Sequence, residues 1–179
     1  KFASTKAVMS YATGGVAPDA GQGIGGAGGH AGAAVGGLLG IAAGIGLALA
    51  VSGPPASPLL LASLGGTAVF LFGFTRAPAA QPRALLGGHL GGALVGIACY
   101  QIFGDVLWVY VLAQSLALAL MLVTRTVHPP AGANPILMIH AHASWSALFQ
   151  PVLLGVGALA LVAALWSRLY PGLAHYPVD

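Results

Sequence analysis

"TRTVHPPAGANP", residues 124–135, sets an arginine, a histidine, three prolines and an asparagine into a chain that is otherwise almost wholly apolar. Of its 179 residues 58% are hydrophobic and only 5% are charged. A soluble domain carries about a quarter charged residues, so this chain lacks the means to cover a water-facing surface. A bilayer is the solvent that matches. Residues 124–135 then read as a break inside a membrane-embedded chain. Pro129 and Pro130 force an extended lead, and a helix can restart near Gly132–Asn134.

Outward from this break, four runs are long enough to span, since about 20 residues cross a hydrocarbon core. They are "AAVGGLLGIAAGIGLALAV" (33–51), "ALLGGHLGGALVGIACYQIF" (84–103), "VLWVYVLAQSLALALMLVT" (106–124) and "ALFQPVLLGVGALALVAALWS" (147–167). Two more are defective as helices: "PPASPLLLASLGGTAVFLFGF" (54–74), interrupted at Ser63–Gly66, and the proline-broken "HPPAGANPILMIH" (128–140). The expected fold is an all-α membrane protein with six hydrophobic elements, two of them broken half-helices. Residues 1–32 form a Gly-rich N-terminal segment, 33–170 the transmembrane domain and 171–179 a C-terminal tail. No basic–apolar–small cleavage pattern opens the chain, so no signal peptide is expected.

Charge placement favours six crossings, with re-entrant loops the alternative for the two broken elements. Six passes put Lys1, Lys6, Arg76, Arg83, Arg125 and Arg168 on one side, which the positive-inside rule makes cytoplasmic, with both termini there. Four passes would strand Arg76 and Arg83 opposite the lysines. Tyr100, Trp108 and Tyr110 mark one interface, Trp166 and Tyr170 the other. The halves also resemble each other: "LGGTAVFLFG" (64–73) parallels "PAGANPILMI" (130–139), and "QPRALLGG" from Gln81 parallels "QPVLLGV" from Gln150. Three crossings per half would make these inverted repeats, with a transporter's central site between the paired broken segments. Gly32, Gly36, Gly40 and Gly44, and likewise Gly88, Gly92 and Gly96, form small-residue stripes suited to close helix packing or to a homo-oligomer.

What is missing narrows the function. The chain has no Glu, and Asp19, Asp105 and Asp179 all lie outside the apolar spans. Carriers of cations and protons usually rely on intramembrane carboxylates. Carboxylate-pair hydrolysis and the H-E-x-x-H metalloprotease pattern are excluded too, so no catalytic residues, cofactor or metal are expected and the chain is not read as an enzyme. Six Lys/Arg, scattered, are too few for a nucleic-acid footprint. The single Cys99 excludes an internal disulfide. His140 and His142, in "HAH", could bind metal with His128, but without nearby Cys or acids a solvated loop is the simpler reading. His30 and His175 are tail residues, and Arg76 and Arg168 interfacial markers.

The remaining polar residues are rich in donors. Ser63 can cap a helix beginning near Gly65, Gly66 and Thr67, and the second helix starts near Gly132, Ala133 and Asn134. Both starts would present unpaired N–H groups where water is scarce, and an anion between them would satisfy those groups. Neighbouring side chains or buried water could do the same. Arg83 and Arg125 stand nearest the broken elements and are the choice for anion attraction. His128 is a candidate donor at the site mouth, and His89 a second donor or a buried core histidine.

At "HPPAGA" the chain resembles the HPP family of integral membrane proteins, and the likeness extends through "AQPRALLGGHL", "LVTRTVHPPAGAN" and "QPVLLG", roughly residues 35–170. Plant-plastid and cyanobacterial members of that family are nitrite transporters. The resemblance implies transport of nitrite or a similar small anion in a bacterial inner membrane or plastid-type membrane. It marks His128, Pro129, Pro130, Ala131 and Gly132 as the motif and Gln81, Pro82, Arg83 and Gly88 as a second shared block. The alternative is a non-transporting scaffold or sensor in which the His-Pro-Pro run only ends a helix.

Overall fold

Each apolar run becomes helical in the computed structural model, which describes residues 30–52 and 59–178. The helices are α1 (His30–Ser52), α2 (Leu59–Gly73), α3 (Pro82–Phe103), α4 (Leu107–Thr124), α5 (Asn134–His140) and α6 (Leu154–Leu169), and no strand occurs among the described residues. Lys1, Lys6 and most of the Gly-rich segment fall outside the described residues, as does the lead into α2. Helices α1, α3 and α4, and the stretch Trp145–Leu169 that contains α6, are each long and apolar enough to cross a membrane. Exposure is inverted relative to a soluble domain. Leu107, Val123 and Leu169 are 84%, 83% and 77% exposed, while Ser63, Thr67, His89, His128 and Asn134 are buried. Lipid is the surrounding that suits such a surface.

The break at 124–135 begins before its prolines. Arg125 takes the left-handed conformation (φ 56°, ψ 44°) as the C-cap of α4, and the Thr126 N–H reaches back to the Met121 carbonyl at 2.9 Å. That is a helix-ending turn of the Schellman kind. His128 is extended ahead of Pro129 (φ −130°, ψ 102°), a 3₁₀ turn runs over Pro129–Ala133, and α5 restarts at Asn134. With seven residues, α5 is about 10 Å long, a third of a hydrocarbon core.

The other expected break is absent. Helix α2 runs without interruption from Leu59 to Gly73, through Ser63–Gly66. Ser63 is therefore no cap, and the amides of Gly65, Gly66 and Thr67 are internal to a helix whose carbonyls four residues earlier receive them. Gly66 has a packing purpose instead: a Cβ there would lie 3.1 Å from Pro130 Cβ. A second difference concerns the last span. Gln150 leaves helical geometry (φ −126°, ψ 112°) within the wide turn Phe149–Leu153, so the run read as a clean span is kinked before α6. Pro151 accounts for it, since its ring disfavours helical geometry in the preceding residue.

Helix α3 is the hub. One apolar cluster joins its Leu85 to Leu64 and Leu71 of α2 and Leu159 of α6; a second joins its Ile97 to Met138 of α5 and Val152; a third joins its Cys99 to Val109 of α4 and Ile139 of α5. The glycine stripes make these approaches close. Gly88, Gly92 and Gly96 face the broken segment and α5, and a Cβ at Gly96 would sit 2.7 Å from the Pro135 backbone. On α1, Gly36, Gly40 and Gly44 face Tyr170, Phe72 with Trp166, and Leu159, whereas Gly32 has no neighbour within 4 Å among the described residues.

Four arginines gather at one end of the bundle. Arg83 donates to the Thr124 carbonyl at 3.0 Å, beside Arg125; Arg168 donates to the Tyr176 carbonyl at 2.7 Å; Arg76 borders a cavity walled by Leu173, Ala174, His175, Pro177 and Val178. The tail beyond α6 folds back here. The Tyr176 N–H bonds Ser167 Oγ at 2.9 Å, the Val178 N–H bonds Gln81 Oε1 at 2.9 Å, and the Tyr176 ring enters the α2–α3–α6 core at 1% exposure. Tyr176→Ala is expected to cost about 3–5 kcal/mol, as for other buried aromatics cut to alanine. Tyr176→Phe, which keeps the ring, should leave the melting temperature in detergent nearly unchanged.

Candidate functional site

Among the described residues, five buried polar side chains from four segments meet at the break. They are Ser63 and Thr67 on α2, His89 on α3, His128 before the 3₁₀ turn and Asn134 at the start of α5, each no more than 2% exposed. Helical spacing explains the α2 pair, since residues four apart share a face. The α3 glycines explain the rest. A Cβ at Gly88 would come 2.9 Å from His128 Cβ, and one at Gly92 would come 2.9 Å from the Ala131 carbonyl. Only a bare helix flank lets the His-Pro-Pro run lie this close.

Carbonyl oxygens, which only accept, fix the direction of the bonds. His128 Nδ1 lies 2.6 Å from the Ala79 carbonyl, so Nδ1 carries hydrogen and donates. Asn134 Nδ2 donates to the His89 carbonyl at 2.9 Å, which orients its amide. The same nitrogen lies 3.1 Å from His89 Nδ1, which must then accept. His89 therefore carries its hydrogen on Nε2 and gives it to Thr67 Oγ1 at 2.7 Å. The Thr67 hydroxyl can in turn donate to His128 Nε2 at 3.0 Å. Ser63 Oγ donates to Asn134 Oδ1 at 2.7 Å. Both imidazoles are accommodated as neutral rings within a closed circuit. The ring centroids of His89 and His128 are 5.0 Å apart, and Phe70 lies edge-on to His128 at 5.6 Å.

Of the residues singled out in the sequence, the structure brings Ser63, Thr67, His89, His128 and Asn134 together. Gly65 and Gly66 lie within α2 and Gly132 near Gln114 Nε2, with Ala133 against the α3–α5 core. Arg83 and Arg125 are exposed at the bundle end, outside the cluster. Arg83 precedes His89 by six residues, about 9 Å along the helix axis. The Ala79 carbonyl is a member that sequence reasoning missed, because a backbone acceptor in a turn leaves no residue-type signal.

The far end of the bundle carries a different group. Asp105, in the α3–α4 connection, accepts from the Tyr110 hydroxyl at 2.7 Å and pairs with His142 Nε2 at 2.9 Å. Those two hydrogen bonds, Tyr110 first, hold its carboxyl below the usual carboxylate range. His142 stacks on Tyr100 at 5.0 Å, and no cluster of three metal-ligating side chains occurs among the described residues.

Residues 28–177 match the family model of the HPP transmembrane region. Two transmembrane proteins of Dictyostelium discoideum are also similar. One is 33% identical over 128 residues, covering 67% of this chain and 45% of that protein. The other is 34% identical over 127 residues, covering 66% and 40%. This chain thus spans less than half the length of the curated relatives it matches. No solved structure matches. With that match over most of its length, and with the His-Pro-Pro run seated at the meeting point of its short helices, the chain is a multi-pass integral membrane protein belonging to the HPP transmembrane family.

Proposed function

We propose that this domain carries a small monovalent anion, nitrite or a close relative, across the bilayer, with Ser63, Thr67, His89, His128 and Asn134 as its midway site. The observation that carries the reading is the convergence of hydroxyl, imidazole and amide donors at the family's motif, in a chain whose spans hold no carboxylate. Arg76, Arg83, Arg125 and Arg168 at one end would raise the local anion concentration. The near-complete burial of all five side chains favours a carrier in a closed state over an open channel. In this reading α1–α3 and α4–α6 are inverted repeats, supported by the matched packing of α3 on α4 and α6 on α1. The arginine-bearing end faces the cytoplasm. In this reading the anion crosses chemically unchanged, and the other partners are the lipid bilayer and a second copy of the chain packed through the glycine-striped helices.

One observation favours the scaffold reading as an alternative: each hydrogen bond in the cluster closes on a neighbour, as a packing clamp would. Uptake of nitrite, nitrate, formate and chloride into proteoliposomes separates the two. The carrier reading expects nitrite uptake well above protein-free vesicles and a drop of about 10-fold or more for His128→Ala. Well-folded protein without anion flux would leave the clamp.

A further inference from the structure

Among the described residues, an anion that reaches the cluster meets no fixed positive charge. On α2 it is faced by Ser63, Thr67 and Phe70, on α5 by Asn134, and from the turn before α3 by the Ala79 carbonyl. None of these titrates. Helix α6 has no titratable side chain before Arg168, and α4 offers only Gln114 near Gly132. Arg83 is exposed at the bundle end with its guanidinium on the Thr124 carbonyl, and Arg125 is exposed at the same end. Bringing a bare anion into such a place is costly unless a positive charge arrives with it. The groups within the cluster that can acquire one are the two imidazoles, which would take the part that carboxylates usually play in carriers of protons.

The hydrogen-bond geometry provides for this. Thr67 Oγ1 has three partners: His89 Nε2 at 2.7 Å, His128 Nε2 at 3.0 Å and the Ser63 carbonyl at 2.9 Å. A hydroxyl has one hydrogen to give and two lone pairs to receive. In the neutral cluster Thr67 gives its hydrogen to His128 Nε2. With one more proton on the cluster, His89 and His128 both donate to Oγ1, and the hydroxyl turns to the Ser63 carbonyl. Both states satisfy their bonds with the heavy atoms where they stand. His89 Nδ1 is unavailable, since it faces Asn134 Nδ2 at 3.1 Å. His128 Nδ1 already carries the hydrogen it gives to Ala79.

We propose that transport is an electroneutral symport in which one proton enters with each anion and rides on His128 Nε2. This rests on the anion-carrying reading above. On loading, a hydronium ion on the entry side gives up an O–H bond as an N–H bond forms at His128 Nε2; on release that N–H bond breaks and the proton returns to water on the side where the anion leaves. Thr67 is the switch between the two hydrogen-bond patterns and takes no net proton.

The test uses the full chain in proteoliposomes with sodium nitrite outside, an entrapped pH dye, and valinomycin with potassium to set the membrane potential. Protein-free vesicles define the leak of nitrous acid. The expected result is nitrite uptake with about one proton entering per nitrite and an initial rate indifferent to the sign of the potential. Uptake without acidification, at a rate that rises with an inside-positive potential, would overturn the symport and leave the anion carrier standing. No nitrite uptake by folded protein would overturn both. His128→Gln, which removes the proton's seat, should lose acidification-coupled uptake by about 10-fold or more. An unchanged proton-to-nitrite ratio in that folded variant would remove His128 from the role.

Discussion

Thr67→Val should be the most damaging single-atom-scale change in the protein, lowering stability by about 2–5 kcal/mol and abolishing nitrite flux. Valine keeps the shape of threonine but not its hydroxyl. His89 Nε2–H loses its acceptor and His128 Nε2 its donor, 2.7 Å and 3.0 Å away, in a region where neither finds a substitute. Leaving two buried polar groups unmatched costs more than losing the bonds themselves. Thr67→Ser, which keeps the hydroxyl, should recover most of both stability and flux. The chain's single cysteine provides the readout: Cys99 is 4% exposed, so a thiol-reactive dye reports unfolding in detergent as that residue becomes accessible. A Thr67→Val protein that melts with the native one would show that the cluster's bonds do not hold α2, α3 and α5 together.

Gly96→Ala should run against helix propensity by a wide margin. Replacing glycine by alanine within a helix ordinarily gains about 1 kcal/mol. At Gly96 the new methyl would lie 2.7 Å from both Cα and O of Pro135 and 2.9 Å from Met138 Cβ. Backbone cannot swing aside as a long side chain can, so α5 must move off α3, at a net cost of about 2–3 kcal/mol or more. Gly46 on α1 is the control, since a methyl there would meet nothing within 4 Å. Gly46→Ala should gain a few tenths to about 1 kcal/mol. Opposite signs at two helical glycines, read in the same dye melt, would separate close packing from intrinsic propensity. Equal shifts would refute the contact.

Why one break was legible and the other was not follows from the residues. Proline acts locally: Pro129 dictates an extended His128 whatever surrounds it, and His128 is extended before the 3₁₀ turn that begins at Pro129. Glycine acts through context. Gly65 and Gly66 weaken a helix by about 1 kcal/mol each, which packing easily offsets, and Gly66 is where Pro130 lies against α2. A pattern that resembled an interruption was room made for another segment. The arginines lie apart from the cluster for a geometric reason. Arg83 stands six positions before His89, and in a helix that distance decides between the bundle's end and its middle. Membrane class, helix number and the five polar residues could be read from residue types and order. The Thr67-centred circuit could not, because it joins positions up to 71 apart in sequence.

The irregular lead at residues 126–133 has a consequence for biogenesis. A non-helical backbone is tolerated at membrane depth only behind protein, and the shield here is α2 and α3, which press Gly66 and Gly88 against it. Those helices precede it in the chain, so the ribosome delivers the wall before the segment that must lie behind it. A circular permutant opening at Leu107 would reverse that order and present the His-Pro-Pro run to bare acyl chains.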